Sequence, residues 1–319
     1  MTTKEYRIAH LSDLHLSAEY FPERIHTVRL LFRRCQELNV DHIVITGDVT
    51  NQARIEELNL FRSLLQEHSL LDGRKVSVVI GNHDIFGGPY YAEDVLKFPS
   101  ACQSADYDAK VNLFYTTLKE TFEGATLVQP EQPFPFVKVF GEIAIVGINS
   151  VARWHGVKNP IGSNGKVERK QIESLKALLL NARMKNKLVI AAMHHHFQMK
   201  EETDIQSKTK QLWRAFESAT MKLHKKKKLI KLLLSSGVTT ILHGHVHRHD
   251  QYQYKGIRCF NSGESMLAYN NALPKFHLMI FRGAMVTSAT ILIGGKKEQR
   301  LENIHELTST SQRIKYTLA

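Results

Sequence analysis

The sequence has 319 residues, of which 43% are hydrophobic, and it carries a formal net charge of +12 at pH 7. This length allows a sizeable buried core in one large α/β domain or two smaller ones. The hydrophobic fraction is that of a globular protein rather than a disordered one. No apolar run approaches the roughly 18 residues of a membrane span, so we expect no transmembrane segment. No apolar stretch precedes the first predicted strand, so we also expect no signal peptide.

The three cysteines favour a reducing compartment. Cys35, Cys102 and Cys259 are scattered along the chain and odd in number. This pattern does not fit a disulfide framework and is typical of free thiols. We therefore expect a cytoplasmic protein with reduced cysteines.

The N-terminal part of the chain alternates predicted strands and helices. The strands are short apolar runs that end near a polar residue or a glycine, and the helices have apolar residues at helical spacing. Such alternation predicts right-handed crossovers and a parallel sheet. The predicted strands cover 8–11, 42–46 and 76–80, and the predicted helices cover 24–38 and 55–67.

The C-terminal part adds a hairpin, a helix and further strands. A turn at Gly141 joins predicted strands at 136–139 and 143–148, and a helix is predicted over 167–182. Further strands are predicted at 188–193, 239–242, 257–261, 276–281 and 286–293. Together these elements predict an α/β fold of two packed mixed β-sheets flanked by helices. We expect a single domain over residues 1–295 and a polar tail over 296–319.

Two long segments interrupt this regular order. One covers 86–134 and includes a helix-like stretch over 109–122, and the other covers 197–222. Long segments beside a functional site are often lids or substrate-binding elements. The alternative is a packed peripheral helix that takes no part in the chemistry.

Five predicted strands end at clusters of Asp, Asn and His. Open α/β sheets gather their chemistry at the carboxyl ends of strands, so five such ends can converge on one point. Seven side chains in these clusters are candidate metal ligands: Asp13, His15, Asp48, Asn82, His194, His245 and His247.

The number of candidate ligands predicts two metal ions rather than one. A single catalytic zinc takes three protein ligands, whereas seven ligands with one bridging carboxylate fit two ions about 3.5–4 Å apart. Mixed imidazole and oxygen ligands suit manganese, iron or zinc better than calcium or magnesium. No cysteine joins a cluster, which argues against a structural thiolate zinc site.

The clusters read D-x-H, G-D, G-N-H-D, a histidine run and G-H-x-H, in that order, from residue 13 to residue 247. This pattern resembles the calcineurin-like metallophosphoesterase superfamily. The resemblance implies a four-layer α/β/β/α sandwich with two metal ions, and it implies that Asp48 bridges them. The implied ligands are Asp13, His15, Asp48 and His247 for the first ion, and Asp48, Asn82, His194 and His245 for the second.

Some of these residues have alternative interpretations. In the histidine run 194–196, the first residue follows the strand directly, so we favour His194 as the ligand, with His195 next. Asp48 could instead cap a helix, and Asn82 could serve a turn. Five other histidines have no motif position and are expected to be structural: His10, His42, His243, His249 and His277.

His83 and Asp84 follow Asn82 and are expected to be catalytic. An imidazole titrates near neutral pH, so His83 can protonate a leaving oxygen, and its alternative role is to orient a ligand. The resemblance implies that Asp84 pairs with His83 and sets its tautomer. The expected reaction is attack on phosphorus by a hydroxide that bridges the metal ions.

The residues that flank the motifs indicate a class of substrate. Segments 10–15, 46–51 and 165–178 are similar to the bacterial class III cyclic-nucleotide phosphodiesterases. His196 and Phe197 depart from that branch, which often has prolines there. We expect hydrolysis of a phosphodiester, such as a cyclic nucleotide. The alternatives are a phosphomonoesterase, then a DNA or RNA nuclease, then a scaffold without catalysis, against which the complete ligand set argues.

The positive charge is partly local. Lysines occupy positions 225 to 228 within a predicted amphipathic helix over 222–231. One interpretation is a solvated helix face. The other is a patch that attracts an anionic phosphoester substrate, a nucleotide, a nucleic acid or a membrane surface. No aromatic residue interleaves these lysines, so the stacking platform of a single-strand binder is missing there.

Overall fold

The structure is a computed structural model that describes residues 5–89, 92–181, 184–198, 221–263, 265–266, 273–282 and 285–293. The predicted tail over 296–319 lies outside the described residues, and so does most of the predicted insertion over 197–222. Among the described helices, none is long and apolar enough to cross a membrane.

Strands and helices alternate through the first part of the chain, as predicted. The described strands are β1 (Glu5–Leu11), β2 (His42–Thr46), β3 (Val76–Val79), β4 (Thr126–Gln129), β5 (Gln132–Phe140), β6 (Ile143–Gly147), β7 (Gly165–Lys166), β8 (Leu188–Ala192), β9 (Leu223–His224), β10 (Val238–His243), β11 (His249–Tyr254), β12 (Ile257–Ser262), β13 (Lys275–Arg282) and β14 (Met285–Leu292). The described helices are α1 (Pro22–Glu37), α2 (Ile55–Glu67), α3 (Ala92–Ser104), α4 (Tyr107–Thr117), α5 (Arg169–Leu179) and α6 (Lys226–Ser235), with a 3₁₀ helix at Lys119–Phe122.

Two mixed sheets form the centre of the molecule, which confirms the predicted fold class. The first has the strand order β14-β13-β1-β2-β3, in which β1, β2 and β3 are parallel and β13 and β14 are antiparallel. The second has the order β11-β12-β10-β8-β6-β5-β4, with a parallel centre and antiparallel edges. Strands β7 and β9 form a separate parallel pair.

Alternating side chains on the second sheet separate its two faces. On β6, Ile143 and Ile145 belong to the core that includes the first sheet, whereas Ala144 and Val146 pack with α5 and α6. Helices α1 and α2 cover the first sheet through residues such as Leu31. Because successive residues of a strand point to opposite faces, this arrangement gives the four layers of an α/β/β/α sandwich.

Most predicted elements agree with the structure to within a few residues. Strand β2 and helix α2 have the predicted bounds. The predicted helix over 109–122 is instead two pieces, α4 and the 3₁₀ helix, separated at Leu118. The predicted helix over 167–182 begins only at Arg169, because Val167 is buried in the core before the helix starts. Strands β4 and β11 and helix α3 were not predicted.

The prediction of one helix over the lysine-rich segment was wrong at its start. Leu223 and His224 form β9, and the helix begins at Lys226. Between them, Lys225 has a φ of 53°, in the left-handed region. A left-handed residue cannot continue a right-handed helix, so the strand and the helix are separate elements.

A buried lysine joins the two sheets. Lys138 on β5 is 2% exposed, and its ammonium donates to the carbonyl oxygens of Gly73 (2.8 Å), Val76 (2.7 Å) and Thr121. Val76 opens β3 of the first sheet, whereas Lys138 belongs to the second. Three carbonyl oxygens match the three N–H donors of an ammonium group, so this contact is fully satisfied.

Candidate metal centre

The five clusters lie just beyond strand ends that meet at one edge of the molecule. Clusters of the first sheet follow β1, β2 and β3, and those of the second follow β8 and β10. Hydrogen bonds join the loops: Asp13 N donates to Gly47 O at 3.1 Å, and Gly244 N donates to His194 O at 3.0 Å. Between the sheets, His194 Nδ1 donates to Thr46 O at 2.8 Å. The strand ends therefore bring all five clusters together.

One group of candidate ligands consists of Asp13, His15 and His247, whose ligand atoms lie within 4.8 Å of one another. His15 Nε2 is 3.2 Å from His247 Nε2, and Asp13 Oδ1 is 3.6 Å from His247 Nε2. Asp13 and His15 are buried, whereas His247 is exposed. This side of the centre is therefore open to solvent.

The other group surrounds His194. Its Nε2 lies 3.0 Å from Asn82 Oδ1, 3.2 Å from His245 Nδ1 and 3.2 Å from Asp48 Oδ2. Atoms that share an ion at about 2.0–2.2 Å lie roughly 3–3.5 Å from one another. The spacing of this buried group therefore suits four ligands of one ion.

Asp48 lies between the two groups. Its Oδ2 is 3.2 Å from His194 Nε2 and 3.8 Å from His15 Nε2, and its Oδ1 accepts from the backbone N–H of His83 at 2.8 Å. One carboxylate thus contacts a histidine of each group and the backbone of the loop after β3. This is the position that a bridging ligand requires.

The hydrogen bonds of His194 show that a cation fits between these groups. Its Nδ1 faces a carbonyl oxygen, which only accepts, so Nδ1 carries a proton. In the neutral ring, Nε2 then has a lone pair instead of a proton. This lone pair is directed at the oxygens of Asn82 and Asp48 and at a nitrogen of His245. The lone pair and the ionised carboxylate of Asp48 repel each other unless a proton or a metal ion lies between them.

The charge of Asp48 outweighs burial in setting the protonation of this group. Burial by itself lowers the pKa of His194, but the neighbouring carboxylate raises it to about 9. In Asp48 both effects have the opposite sign. Burial raises its pKa, but the charge of His194 holds that pKa well below the ordinary range. Without an ion, a proton on His194 therefore neutralises the carboxylate, and a metal would displace that proton.

Several candidate ligands have strained backbone. Asp13, His15, Asp48 and His245 have φ angles of 56°, 42°, 51° and 72°. Residues other than glycine rarely adopt this left-handed region, and they persist there where the surroundings hold them, often at active sites. The strain is evidence that the position of these side chains matters more than local backbone preference.

Two motif glycines leave room for the ligands. A Cβ on Gly47, which has a φ of 90°, would lie 2.7 Å from His194 Nδ1. A Cβ on Gly81 would lie 2.2 Å from Asp48 Oδ1. Both distances are too short for real contacts, so the glycines of the G-D and G-N-H-D motifs are needed for close packing against the centre.

His194 and His195 differ in their partners. Both ring nitrogens of His195 already bind protein atoms: Nδ1 is 2.9 Å from Ser150 Oγ and Nε2 is 3.2 Å from Ser163 O. His194 directs its Nε2 at the other candidate ligands. The geometry therefore favours His194 as the ligand and gives His195 a supporting position.

The structure contradicts the expected pairing of Asp84 with His83. Asp84 Oδ1 accepts from the N–H and the hydroxyl of Thr50, both at 2.9 Å, and its Oδ2 accepts from Gly81 N at 2.8 Å. His83 Nδ1 instead donates to the carbonyl oxygen of Asn51 at 3.1 Å. Asp84 is buried among backbone donors, so it holds two loops together rather than setting the tautomer of His83.

Sequence reasoning missed two residues that support the centre. Ser150 Oγ accepts from the backbone N–H groups of His194 (3.2 Å) and His195 (3.0 Å). Arg24 on α1 donates to the carbonyl oxygen of His15 at 3.1 Å. Ser150 follows β6 at the same edge as the other clusters, so the strand-end rule that found the ligands could have found it. No local signal marks Arg24.

The histidines outside the motifs bind protein atoms. His10 Nε2 is 2.9 Å from Thr46 Oγ1, His42 Nε2 is 2.8 Å from Ser77 Oγ, and His277 Nε2 donates to Asn261 O at 2.9 Å. These contacts agree with the structural role predicted for them.

Comparison with known proteins gives a family match and structural neighbours. A profile of the calcineurin-like phosphoesterase family matches residues 6–249. No curated protein matched the sequence. Three solved structures with similar folds are each 12% identical in sequence. At that identity, the likeness shows the fold alone.

The three structures differ in how much of each chain is aligned. A dimetal phosphatase from Danio rerio has a TM-score of 0.58, with 92% of this chain and 100% of that one covered. Purple acid phosphatase PPD1 from yellow lupin (Lupinus luteus) has a TM-score of 0.61, with 93% of this chain and 53% of that one covered. GAP50, the anchor in the inner membrane complex of Plasmodium, has a TM-score of 0.55, with 95% and 88% covered. This chain thus spans about half of the lupin protein.

Proposed function

Because this chain belongs to the calcineurin-like phosphoesterase family, we propose that it hydrolyses a phosphodiester, such as a cyclic nucleotide, at a centre of two metal ions. Family membership makes it a metal-dependent phosphoester hydrolase. The preference for a diester is supported by the similarity of segments 10–15 and 46–51 to the cyclic-nucleotide phosphodiesterase branch. The observation that carries the proposal is the convergence of side chains from five loops on three overlapping groups, of which His15, Asp48 and His83 form the middle one.

The candidate ligands would hold two ions, and Asp48 would belong to both sets. When bound, the ions would neutralise phosphoryl oxygens and lower the pKa of a water molecule. Imidazole, carboxylate and amide ligands together suit manganese, iron or zinc. The proposed ligands are Asp13, His15, Asp48 and His247 on one side, and Asp48, Asn82, His194 and His245 on the other.

His83 is the proposed acid for the leaving oxygen. Its ring lies edge-on to that of His15, with 4.4 Å between centroids, so it adjoins the first group. Because Nδ1 donates to the carbonyl oxygen of Asn51, Nε2 is the atom that can gain or lose a proton. Protonated at Nε2, His83 can donate to a departing alkoxide.

Asp84 is proposed to hold in place the two loops that carry Asp48 and His83, without contacting the substrate. Its carboxylate joins the loop after β2, through Thr50, to the loop after β3, through Gly81. These loops carry Asp48 and His83. A shift between them would displace the acid from the reacting bond.

Hydrolysis of bis(p-nitrophenyl) phosphate and p-nitrophenyl phosphate with added manganese tests this proposal. A phosphodiesterase should have the larger kcat/KM for the diester. A larger value for the monoester would replace the proposal by a phosphomonoesterase. If neither ester is hydrolysed by protein that contains two metal equivalents, catalysis of phosphoester hydrolysis by this centre is rejected.

A further inference from the structure

A large basic cavity lies beside the start of α6, and one residue of its wall, His196, stacks on the candidate ligand His245. The cavity has a volume of about 1510 Å³, above the roughly 300–1,000 Å³ of ordinary small-ligand pockets. Its wall includes Lys166 on β7 and six further lysines: Lys222, Lys225, Lys226, Lys227, Lys228 and Lys255.

Most of the lysines in this wall have no acidic partner among the described residues. Its acidic side chains are already paired, Glu168 with Lys166 at 2.6 Å and Glu173 with Arg169 at 2.9 Å. Within the described part of the chain, none of the six lysines forms an ion pair with an acidic side chain. The cavity is therefore suited to an anion with several charges.

These lysines lie where a helix least favours cations. Lys226, Lys227 and Lys228 form the first turn of α6, at the positive end of the helix dipole, and no acidic residue lies in that turn. The preceding Lys225 is left-handed and makes no side-chain cap. Both the lysines in the first turn and the absence of a side-chain cap are unfavourable for helix stability. Such unfavourable residues are expected where function, rather than stability, has selected the sequence.

His196 connects the cavity to the metal centre. It is 5% exposed, lines the cavity and stacks on the candidate ligand His245, with 5.9 Å between ring centroids. Its buried Nδ1 has no hydrogen-bond partner among the described residues.

We propose that this cavity binds the non-reacting phosphates of a substrate that carries a chain of phosphate groups. The adjoining centre would act on one phosphoester while the lysines hold the rest, since ammonium groups bind phosphates as point charges. This inference rests on the proposed phosphoesterase function and names its substrate class. A compact polyphosphate and a single-stranded oligonucleotide are the two sources of such a chain.

Two variants of equal net charge distinguish the effect of the cavity lysines from the effect of the overall charge of the protein. All six substituted lysines are exposed, so their removal leaves the core intact. The cavity variant carries Lys222→Gln, Lys227→Gln and Lys228→Gln, and the control carries Lys97→Gln, Lys119→Gln and Lys185→Gln.

Calorimetric titration of the full-length chain with tripolyphosphate, and separately with a short oligothymidylate, measures binding. We expect the cavity variant to bind at least one of them about tenfold or more weakly than the wild type, with a smaller loss at high salt. The control should bind like the wild type. Loss confined to tripolyphosphate identifies a compact substrate, and loss confined to oligothymidylate identifies an extended strand.

Hydrolysis of bis(p-nitrophenyl) phosphate by the same proteins tests the metal centre separately. We expect the control variant to keep the wild-type kcat, because Lys97, Lys119 and Lys185 lie neither in the cavity nor in the candidate metal centre. The cavity proposal is overturned if the wild type binds neither anion, or if both variants lose affinity equally, whatever the hydrolysis shows. If binding is lost only in the cavity variant but no diester is hydrolysed, the anion site stands and the proposed function fails.

Discussion

At the scale of single residues, Asp48 is the carboxylate that contacts both candidate groups. Its carboxylate contacts a histidine of each candidate group and the backbone N–H of His83. It does so from a left-handed conformation, with a φ of 51°. Only a short side chain that accepts hydrogen bonds and tolerates this conformation can fill the position.

Asp48→Asn should therefore remove metal without unfolding the protein. Asparagine tolerates the left-handed conformation, and its amide oxygen can still accept from His83 N. The negative charge that holds both ions is lost, so we expect kcat to fall by at least about 10²-fold. Elemental analysis should show reduced metal content, while circular dichroism stays unchanged. Wild-type activity and metal content in the purified variant would refute the two-metal assignment.

His83→Ala separates chemistry from metal binding. We expect kcat to fall by about 10²–10⁴-fold, as for the loss of a general acid. Metal stoichiometry should stay the same, because His83 is not among the proposed ligands. His26→Ala, at an exposed histidine of α1, is the matched control and should change neither quantity. Loss of one metal equivalent in His83→Ala would make His83 a ligand instead.

At the scale of elements, helix α2 supports the loop that follows Asp48. Glu57 in its first turn is 3% exposed, and its Oε2 accepts from the backbone N–H groups of Asn51 (3.1 Å) and Gln52 (2.7 Å). The carbonyl oxygen of Asn51 in turn accepts from His83. The start of the helix thus positions the proposed acid through one loop.

Glu57→Ala should weaken both stability and catalysis. Backbone donors left without a partner cost about 1–3 kcal/mol in the free energy of unfolding. We also expect a lower kcat with unchanged metal content, because the carbonyl that holds His83 is no longer fixed. Denaturant unfolding and steady-state kinetics measure the two effects. Glu56→Ala, at the exposed neighbour, should leave both at wild-type values; equal losses in the two variants would contradict this role.

At the scale of the whole molecule, the centre exists only because two sheets pack with their strand ends at the same edge. Lys138 is part of that packing, since it extends from β5 of the second sheet to carbonyl oxygens at the start of β3 in the first. A lysine in this position must keep all three carbonyl partners to offset its burial.

Below pH 7, where Lys138 is an ammonium in the folded chain, Lys138→Met should lower the free energy of unfolding by about 3 kcal/mol or more, because three carbonyl oxygens lose their donor. Methionine keeps the length and the apolar stem of the side chain, so the core stays filled. Urea unfolding measures the change. Stability equal to that of the wild type would show that the contact contributes nothing to the packing of the sheets.

The same residue makes stability depend on pH. Burial lowers the pKa of Lys138 from 10.5 to about 7. Between these values the unfolded chain keeps the proton that the folded chain has lost, so the free energy of unfolding rises with pH, by at most about 1.4 kcal/mol per unit. The difference between wild type and Lys138→Met should therefore grow from pH 7 to pH 10. A constant difference over that range would mean that Lys138 stays charged.

Much of the fold was predictable because centrally placed strands leave a strong local pattern. Strand β2 is buried along its whole length, and its bounds agreed with the prediction. Strand β11, of sequence HDQYQY, was missed because it lies at the edge of its sheet and none of its residues is fully buried. An edge strand need not be apolar, so periodicity does not reveal it.

The sequence by itself determined which chemical groups are available and that they follow strand ends, because residue type and strand pattern are local properties. Tertiary structure decided which of these groups face one another. It directed His194 at the other ligands by giving His195 the partner Ser150, and it bound Asp84 to Thr50 rather than to His83. It also placed a run of lysines in the wall of a cavity beside the centre. These outcomes depend on distances between segments far apart in the chain, and no local pattern encodes such distances.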